Sequence, residues 1–282
     1  MSRSNRNAAE RARRVYANEE ALRAYTEAIA LTPAAGRERF DLLLSRAQTY
    51  DLVARRGPQH ADIEELLHLA EMLHYDTLRC DALLAEADFY LQTEHLRAKE
   101  LTQRAADIAR RIGDGVREGH ALRRQGFIGR LSHDFAASRA ALEAAAQRFR
   151  GAGPIVEAAA CLHILSLTLG DLGEYDAALQ AGKEALALSR IAGDRRQEGI
   201  SLRRVAIIHL EQPQAAEALS FAEAALSLLR AVGDRTEECH ALNALGVINA
   251  WLDHPAEAEA FFRGSLLLAE ETDSGTSILF AI

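Results

Sequence analysis

The segment Glu198–Asp234 reads EGISLRRVAIIHLEQPQAAEALSFAEAALSLLRAVGD. It closes on Gly233-Asp234, and Gly193-Asp194 stands 40 residues earlier. Gly113-Asp114 falls in the same frame, Gly153-Pro154 occupies the place between, and Asp273 stands where the next Gly would be. A fixed period of this size signals a stacked array of supersecondary units, not one compact core. Between the punctuation marks, columns of like residues recur. Leu122, Leu162, Leu202 and Leu242 are identical, and four positions on come Gly126, Ser166, Ala206 and Gly246. Ser138, Ala178, Ala218 and Ala258 form a second small column, and Ala145, Ala185, Ala225 and Ser265 a third.

Small residues at fixed places on two helices let backbones approach to the ~8–10 Å of packed helices. Gly tolerates the left-handed conformation that ends a helix. Asp then offers an oxygen to cap the next one. Each unit therefore reads as helix A, short turn, helix B, Gly stop, Asp start.

This pattern resembles the tetratricopeptide repeat (TPR), in its bacterial form of about 40 residues. The resemblance rests on Glu198–Asp234 and on Leu169–Asp194, LGDLGEYDAALQAGKEALALSRIAGD. It implies an all-α fold, a right-handed α-α superhelix of about seven helical hairpins, in which the A helices line a concave groove.

Composition agrees. The chain has 282 residues, 49% of them hydrophobic and only 6% aromatic. Such Ala- and Leu-rich, aromatic-poor usage suits helix-on-helix packing. A net charge of −8 argues against nonspecific nucleic-acid binding. Cys80, Cys161 and Cys239 lie too far apart for a disulfide framework or zinc cluster. No apolar run reaches ~18 residues and no signal peptide is evident. A cytoplasmic protein is the expectation.

Taken in order, the hairpins are expected at 2–33, 37–73, 76–112, 115–152, 155–192, 195–232 and 235–271, forming one repeat array. Ser2–Tyr16 reads as a basic, solvated first A helix, with an arm for an anionic surface as the alternative, and Asn18 as the cap of the B helix that follows. Arg37–Ala54 is expected as an A helix broken by Gly57-Pro58, with its partner over Asp62–Leu73. Asp134, Glu174, Gln214 and His254 begin later B helices. The apolar end SILFAI begins where a further A helix would form. Either the chain is cut from a longer protein, which is the preferred expectation, or this tail packs on the last hairpin or on a second copy.

The resemblance also assigns a groove. Counted from the small residue of each A helix, inward positions are His120, Arg123, Phe127 and Arg130; then Ala160, His163, Leu167 and Gly170; then Ile200, Arg203, Ile207 and Leu210; then His240, Asn243, Val247 and Ala250. Asn243 matches the family's Asn that bonds a peptide backbone, and Arg123, His163 and Arg203 replace it in the other repeats. Toward the N-terminus the same positions are Asp41, Leu44, Gln48 and Asp51, then Asp81, Leu84, Asp88 and Leu91. The expected partner is a protein or peptide with an acidic stretch, held by Arg123, Arg130, Arg203 and Arg204, since Arg binds carboxylates bidentately. The competing expectation is that these arginines pair with acids on neighbouring helices.

No catalytic constellation emerges. There is no His-Glu-x-x-His, no Cys-x-x-Cys and no phosphate loop. Cys239 and His240 are adjacent, so a helix points them apart. Glu237-Glu238 and similar pairs read as solvated faces or helix ends, and Trp251 as packing. The expectation is a scaffold without enzyme activity, cofactor or metal. The alternative is the sensory region of a larger bacterial signalling protein with a transcription factor, cyclase or diguanylate cyclase as output.

Overall fold

The computed structural model describes residues 18–91, 93–212 and 214–271, without the side chains of 152 and 271. Ser2–Tyr16 and the tail from residue 272, with the expectations placed on them, lie outside these residues. The described chain is helical throughout, with no strand. Its helices are α1 (Asn18–Ala30), α2 (Arg37–Leu52), α3 (Arg56–Leu73), α4 (Asp76–Tyr90), α5 (His95–Arg111), α6 (Gly115–Leu131) and α7 (Phe135–Ala152). Then follow α8 (Ile155–Asp171), α9 (Tyr175–Ala192), α10 (Arg195–Glu211), α11 (Ala215–Val232), α12 (Arg235–Trp251) and α13 (Pro255–Glu271). α1 is the B helix of the first hairpin, and six hairpins, α2–α3 through α12–α13, come after it.

The Gly-Asp turns act as the frame requires. Gly113, Gly193 and Gly233 hold φ of 69°, 69° and 78°, the left-handed region that a side chain resists. The next residue caps the following helix: Asp114, Asp194 and Asp234 accept from the N–H of Arg117, Gln197 and Glu237 at 3.0, 2.9 and 3.1 Å. Gly153 departs from this. Its φ is −112° and its ψ 177°, because Pro154 drives the residue before it into the extended region.

Two boundaries differ from expectation. α2 ends at Leu52, Ala54 makes the turn at φ 54°, and α3 runs straight through Gly57-Pro58. Pro58 lies in the first turn, where N–H groups have no intrahelical acceptor, so its missing donor costs nothing. Asn18 lies inside α1, and its buried Oδ1 accepts no hydrogen bond among the described residues, so it does not cap.

Within α6 the chain divides into two compact units, Met1–Ile128 and Gly129–Ile282. In unit 1 the core is built from Tyr25, Phe40, Leu43, Ile63, Leu66 and Leu78, continuing through Leu83, Leu101 and Ala105. Arg46 clasps Asp62 on the facing helix through bonds of 2.9 and 2.6 Å.

In unit 2 the columns seen in the sequence are the packing seams. Ser138, Ala178, Ala218, Ala185 and Ala225 are fully buried, and Leu162, Leu202 and Leu242 nearly so. At Gly129 a Cβ would stand 3.0 Å from the backbone N of Ser138, so α6 and α7 cross with almost no space between them. Hydroxyls in the small columns turn to a partner: Ser166 donates to the Ala178 carbonyl at 2.9 Å, and Ser265 to that of Cys239 at 3.0 Å. Every helix from α7 to α13 packs on its sequence neighbours. The A helices α8, α10 and α12 also touch one another directly, whereas among the described residues the B helices do not meet comparably. The A helices therefore form one continuous row.

Candidate functional site

Burial isolates one face of that row. From Gly199 to His209 on α10, only Arg203 and Ile207 escape burial. From Glu238 to Asn249 on α12, only His240, Asn243 and Val247 do. On α8 the corresponding residues are Ala160, His163, Ile164 and Leu167. The spacing of three and four residues is that of a single helical face. Both flanks of each A helix are consumed by packing, so this stripe is what the row offers to a partner. It contains His163, Leu167, Arg203, Ile207, His240, Asn243 and Val247, read from the sequence as inward positions. Arg130, in the last turn of α6, is also half-buried in unit 2.

The arginines are not idle. Arg130 donates to Asp171 at 2.7 Å, and Arg203 to Glu237 on α12 at 3.0 Å. This is the arrangement in which each guanidinium pairs with an acid on a neighbouring helix. An incoming carboxylate would have to share or displace those partners. Charge-assisted bonds of this kind are short and directional.

The imidazoles of His163 and His240 are both pushed toward the neutral form. Burial, together with the guanidiniums of Arg203, Arg204 and Arg130, pushes the His163 imidazole down to about 3. Its Nδ1 is sealed from solvent and makes no hydrogen bond among the described residues. Burial and Arg203 also lower His240, against the opposing pull of Glu237 and Asp234.

Arg204 does not belong to the stripe. It is only 6% exposed, and its guanidinium donates to the Ser166 carbonyl at 2.8 Å and lies across Gly170. One residue on from Arg203 means a rotation of about 100°, which carries the side chain off the open face and against α8. Burial lowers its pKa, against the attraction of Glu211 and Asp171.

Two further expectations are refined. Glu237 and Glu238 stand at a helix end, in the first turn of α12, and are not a solvated face: Glu237 holds Arg203, and Glu238 accepts from Arg230 at 2.9 Å. Trp251 is not packed away but 69% exposed, because it is the last residue of α12, where Asp171 and Glu211 in the preceding A helices are exposed as well.

The Glu238 pair belongs to a device that sequence reading passed over. Arg110–Glu118, Arg190–Glu198 and Arg230–Glu238 join at 3.3, 2.8 and 2.9 Å, each spanning a Gly-Asp turn. The signal was present as R-x-x-G-D-x-x-x-E, three times in the common frame.

The remaining candidates lie in unit 1. Arg123 and Phe127 are half-buried on α6, and His120 faces a cleft with Arg124. Among the described residues no group of His, Cys, Asp or Glu could hold a metal ion. The three cysteines are free and buried. Burial pushes the Cys80 thiol up to about 12, which keeps it protonated and unreactive. No helix among the described residues is long and apolar enough to cross a membrane.

Helical hairpins in a common register, small-residue seams and a row of A helices with one open face define a TPR-type repeat fold. Solved structures agree. A Rap protein complexed with competence and sporulation factor superposes with a TM-score of 0.71 at 12% identity, covering 98% of this chain and 78% of that one. The apo form of RapI gives 0.61 at 17% identity, over 68% and 70%. A signal transduction ATPase with numerous domains (STAND) from Pyrococcus horikoshii, bearing a tetratricopeptide repeat sensor, gives 0.67 at 13% identity, over 93% of this chain and 42% of that one. At these identities the likeness is one of fold. No family model and no curated protein matches the sequence.

Proposed function

We propose that this chain is a protein-interaction scaffold that docks a partner segment or domain along the open stripe of its A helices. The observation that carries this reading is the pattern of burial. α8, α10 and α12 bury both flanks but leave one face at three- and four-residue spacing open, and that face mixes cations, imidazoles, an amide and aliphatic side chains. Aliphatic contacts at Leu167, Ile207 and Val247 would supply area, while Asn243 and the arginines set register. An acidic segment of the partner is held by Arg130 and Arg203, exchanging with Asp171 and Glu237. Repeat proteins offer such extended surfaces largely preformed. No turnover, cofactor or nucleic-acid partner enters this reading, and the protein acts in the cytoplasm.

The test is a selection of phage-displayed random dodecapeptides on the immobilised full chain. Acidic peptides should be enriched, and Arg130→Glu with Arg203→Glu should abolish their binding while circular dichroism stays unchanged. Peptides that ignore the double reversal would refute the assignment of Arg130 and Arg203.

A second reading makes the chain the sensory region of a larger signalling protein. What supports it is the match to less than half of the STAND protein. Reading the gene beyond the codon for Ile282 tests it: an immediate stop codon excludes a downstream output domain. A homodimer through the tail from residue 272 is tested by light scattering with and without that tail.

A further inference from the structure

Three of the turns in the 40-residue frame are fixed in the same three ways. At Gly113-Asp114, Gly193-Asp194 and Gly233-Asp234 the Asp N–H donates to the carbonyl five residues back, on Ala109, Ser189 and Leu229, at 2.9, 3.0 and 3.3 Å. With the left-handed Gly, that bond closes the end of the first helix. The Asp carboxylate caps the second helix. The Arg110–Glu118, Arg190–Glu198 and Arg230–Glu238 pairs then clamp the two helices together.

The turn between α7 and α8 has none of the three among the described residues. Pro154 has no N–H to send back to Phe149, whose carbonyl takes the Gly153 N–H at 2.9 Å instead. Pro154 offers α8 no side-chain cap, and its carbonyl accepts from Glu157, three residues on, at 3.0 Å. Asp114, Asp194 and Asp234 accept from Glu118, Glu198 and Glu238, four residues on. Arg150 stands in the clamp column, but Ala158 takes the place of its glutamate, so its guanidinium reaches Glu184 on α9. Gly151 loosens the last turn of α7 further, since Gly is a poor helix former and a Cβ there would meet nothing.

Besides apolar packing, what joins α7 to α8 lies mostly at the end remote from the turn. Ser138 and Thr168 share a buried hydrogen bond of 2.9 Å, and Arg130 and Asp171 pair at 2.7 Å. Arg139–Glu174 and Arg150–Glu184 are exposed ion pairs, of a kind that stabilises little.

We propose that Gly153-Pro154 is a hinge built into unit 2. α7 pivots against α8 about this turn, and Ser138–Thr168 and Arg130–Asp171 latch the other end. Because α6 and α7 cross in contact at Gly129, Arg130 moves with α7. Its distance to His163 and Arg203 changes with the joint, while the clamped row from α8 to α12 keeps its spacing. The hinge belongs to the free chain, so it goes beyond the docking proposed above and does not depend on it.

Spin labels on the full chain test it. Gln147→Cys with Ala187→Cys places a pair across the α7–α8 joint, and Ala187→Cys with Ser227→Cys places the equivalent pair across Gly193-Asp194. All three positions are exposed, and the native cysteines are buried. The first pair should give the broader distance distribution. After correction for intrinsic rates, hydrogen exchange should run roughly tenfold faster at residues 158–161 than at 198–201 and 238–241, the scale of one missing helix cap. Pro154→Asp, which supplies both the N–H and the cap, should slow that exchange and narrow the first distribution. Asp194→Pro should broaden the second. Equal widths or equal exchange at the two joints of the wild-type chain overturn the hinge, whether or not the variants fold. A first distribution left as broad by a folded Pro154→Asp chain overturns it too.

Discussion

Leu229→Ala in α11 tests the close packing of A and B helices most directly. Leu229 is fully buried, and its Cγ and Cδ2 lie 2.7 and 2.8 Å from where a Cβ on Gly199 of α10 would sit. The leucine fills the space that the missing side chain of Gly199 leaves. Truncation removes three carbons at about 0.8 kcal/mol each, about 2.4 kcal/mol of lost burial. The hole faces a residue with no side chain to relax into it, so a cavity cost is added and the total reaches about 3–4 kcal/mol. Gly199→Ala alone forces Leu229 to shift, which costs about 1–3 kcal/mol and offsets the ~1 kcal/mol gained in helix propensity. In the Leu229→Ala background the same methyl enters the hole and restores about 1.5–2 kcal/mol. Urea unfolding of the four proteins, followed by circular dichroism, yields the coupling energy, expected at about 2–3 kcal/mol. A coupling below about 0.5 kcal/mol, the level of independent sites, would refute the interdigitation of α10 and α11.

Three other outcomes are expected. His163 is neutral in the fold down to about pH 3 but titrates near its ordinary 6.5 when unfolded. Between those values the unfolded chain binds the extra proton, so stability falls with acidification by up to about 1.4 kcal/mol per pH unit; His163→Gln should flatten that limb in unfolding curves taken across the window. Asp234→Ala removes a helix cap and the 2.5 Å pair with Arg196 at a buried site, and should cost about 1–2 kcal/mol; the exposed cap Asp134, mutated likewise, should cost less by thermal denaturation. Arg204→Met keeps the packing over Gly170 but removes the donor to Ser166 and the cation facing Glu211 and Asp171, and should cost about 1–3 kcal/mol, whereas Arg204→Ala, which also opens a void over Gly170, should cost about 2 kcal/mol more.

The sequence by itself determined the repeat. Period, Leu column and small columns are local facts, because a residue's place on a helix follows from its number, and the same number recurs in each hairpin. That is why the seams at Ser138, Ala178, Ala218, Ala185 and Ala225 were legible in the sequence, and why Arg203 and Ile207, or Asn243 and Val247, could be placed on one side of their helices, whereas Ile200, counted on that side too, is buried. Only the tertiary structure decided what each charge meets. Arg203 finds Glu237 at 3.0 Å across 34 residues of chain, and Arg204, one step around the helix, is buried against Ser166 instead. The acidic positions of α2 and α4 become a cleft only where α3 and α6 close its sides. Partnership between side chains depends on how neighbouring helices set their distance and rotation. Those follow from volumes packed at the seams, such as Leu229 over Gly199, and no periodicity in the sequence encodes them.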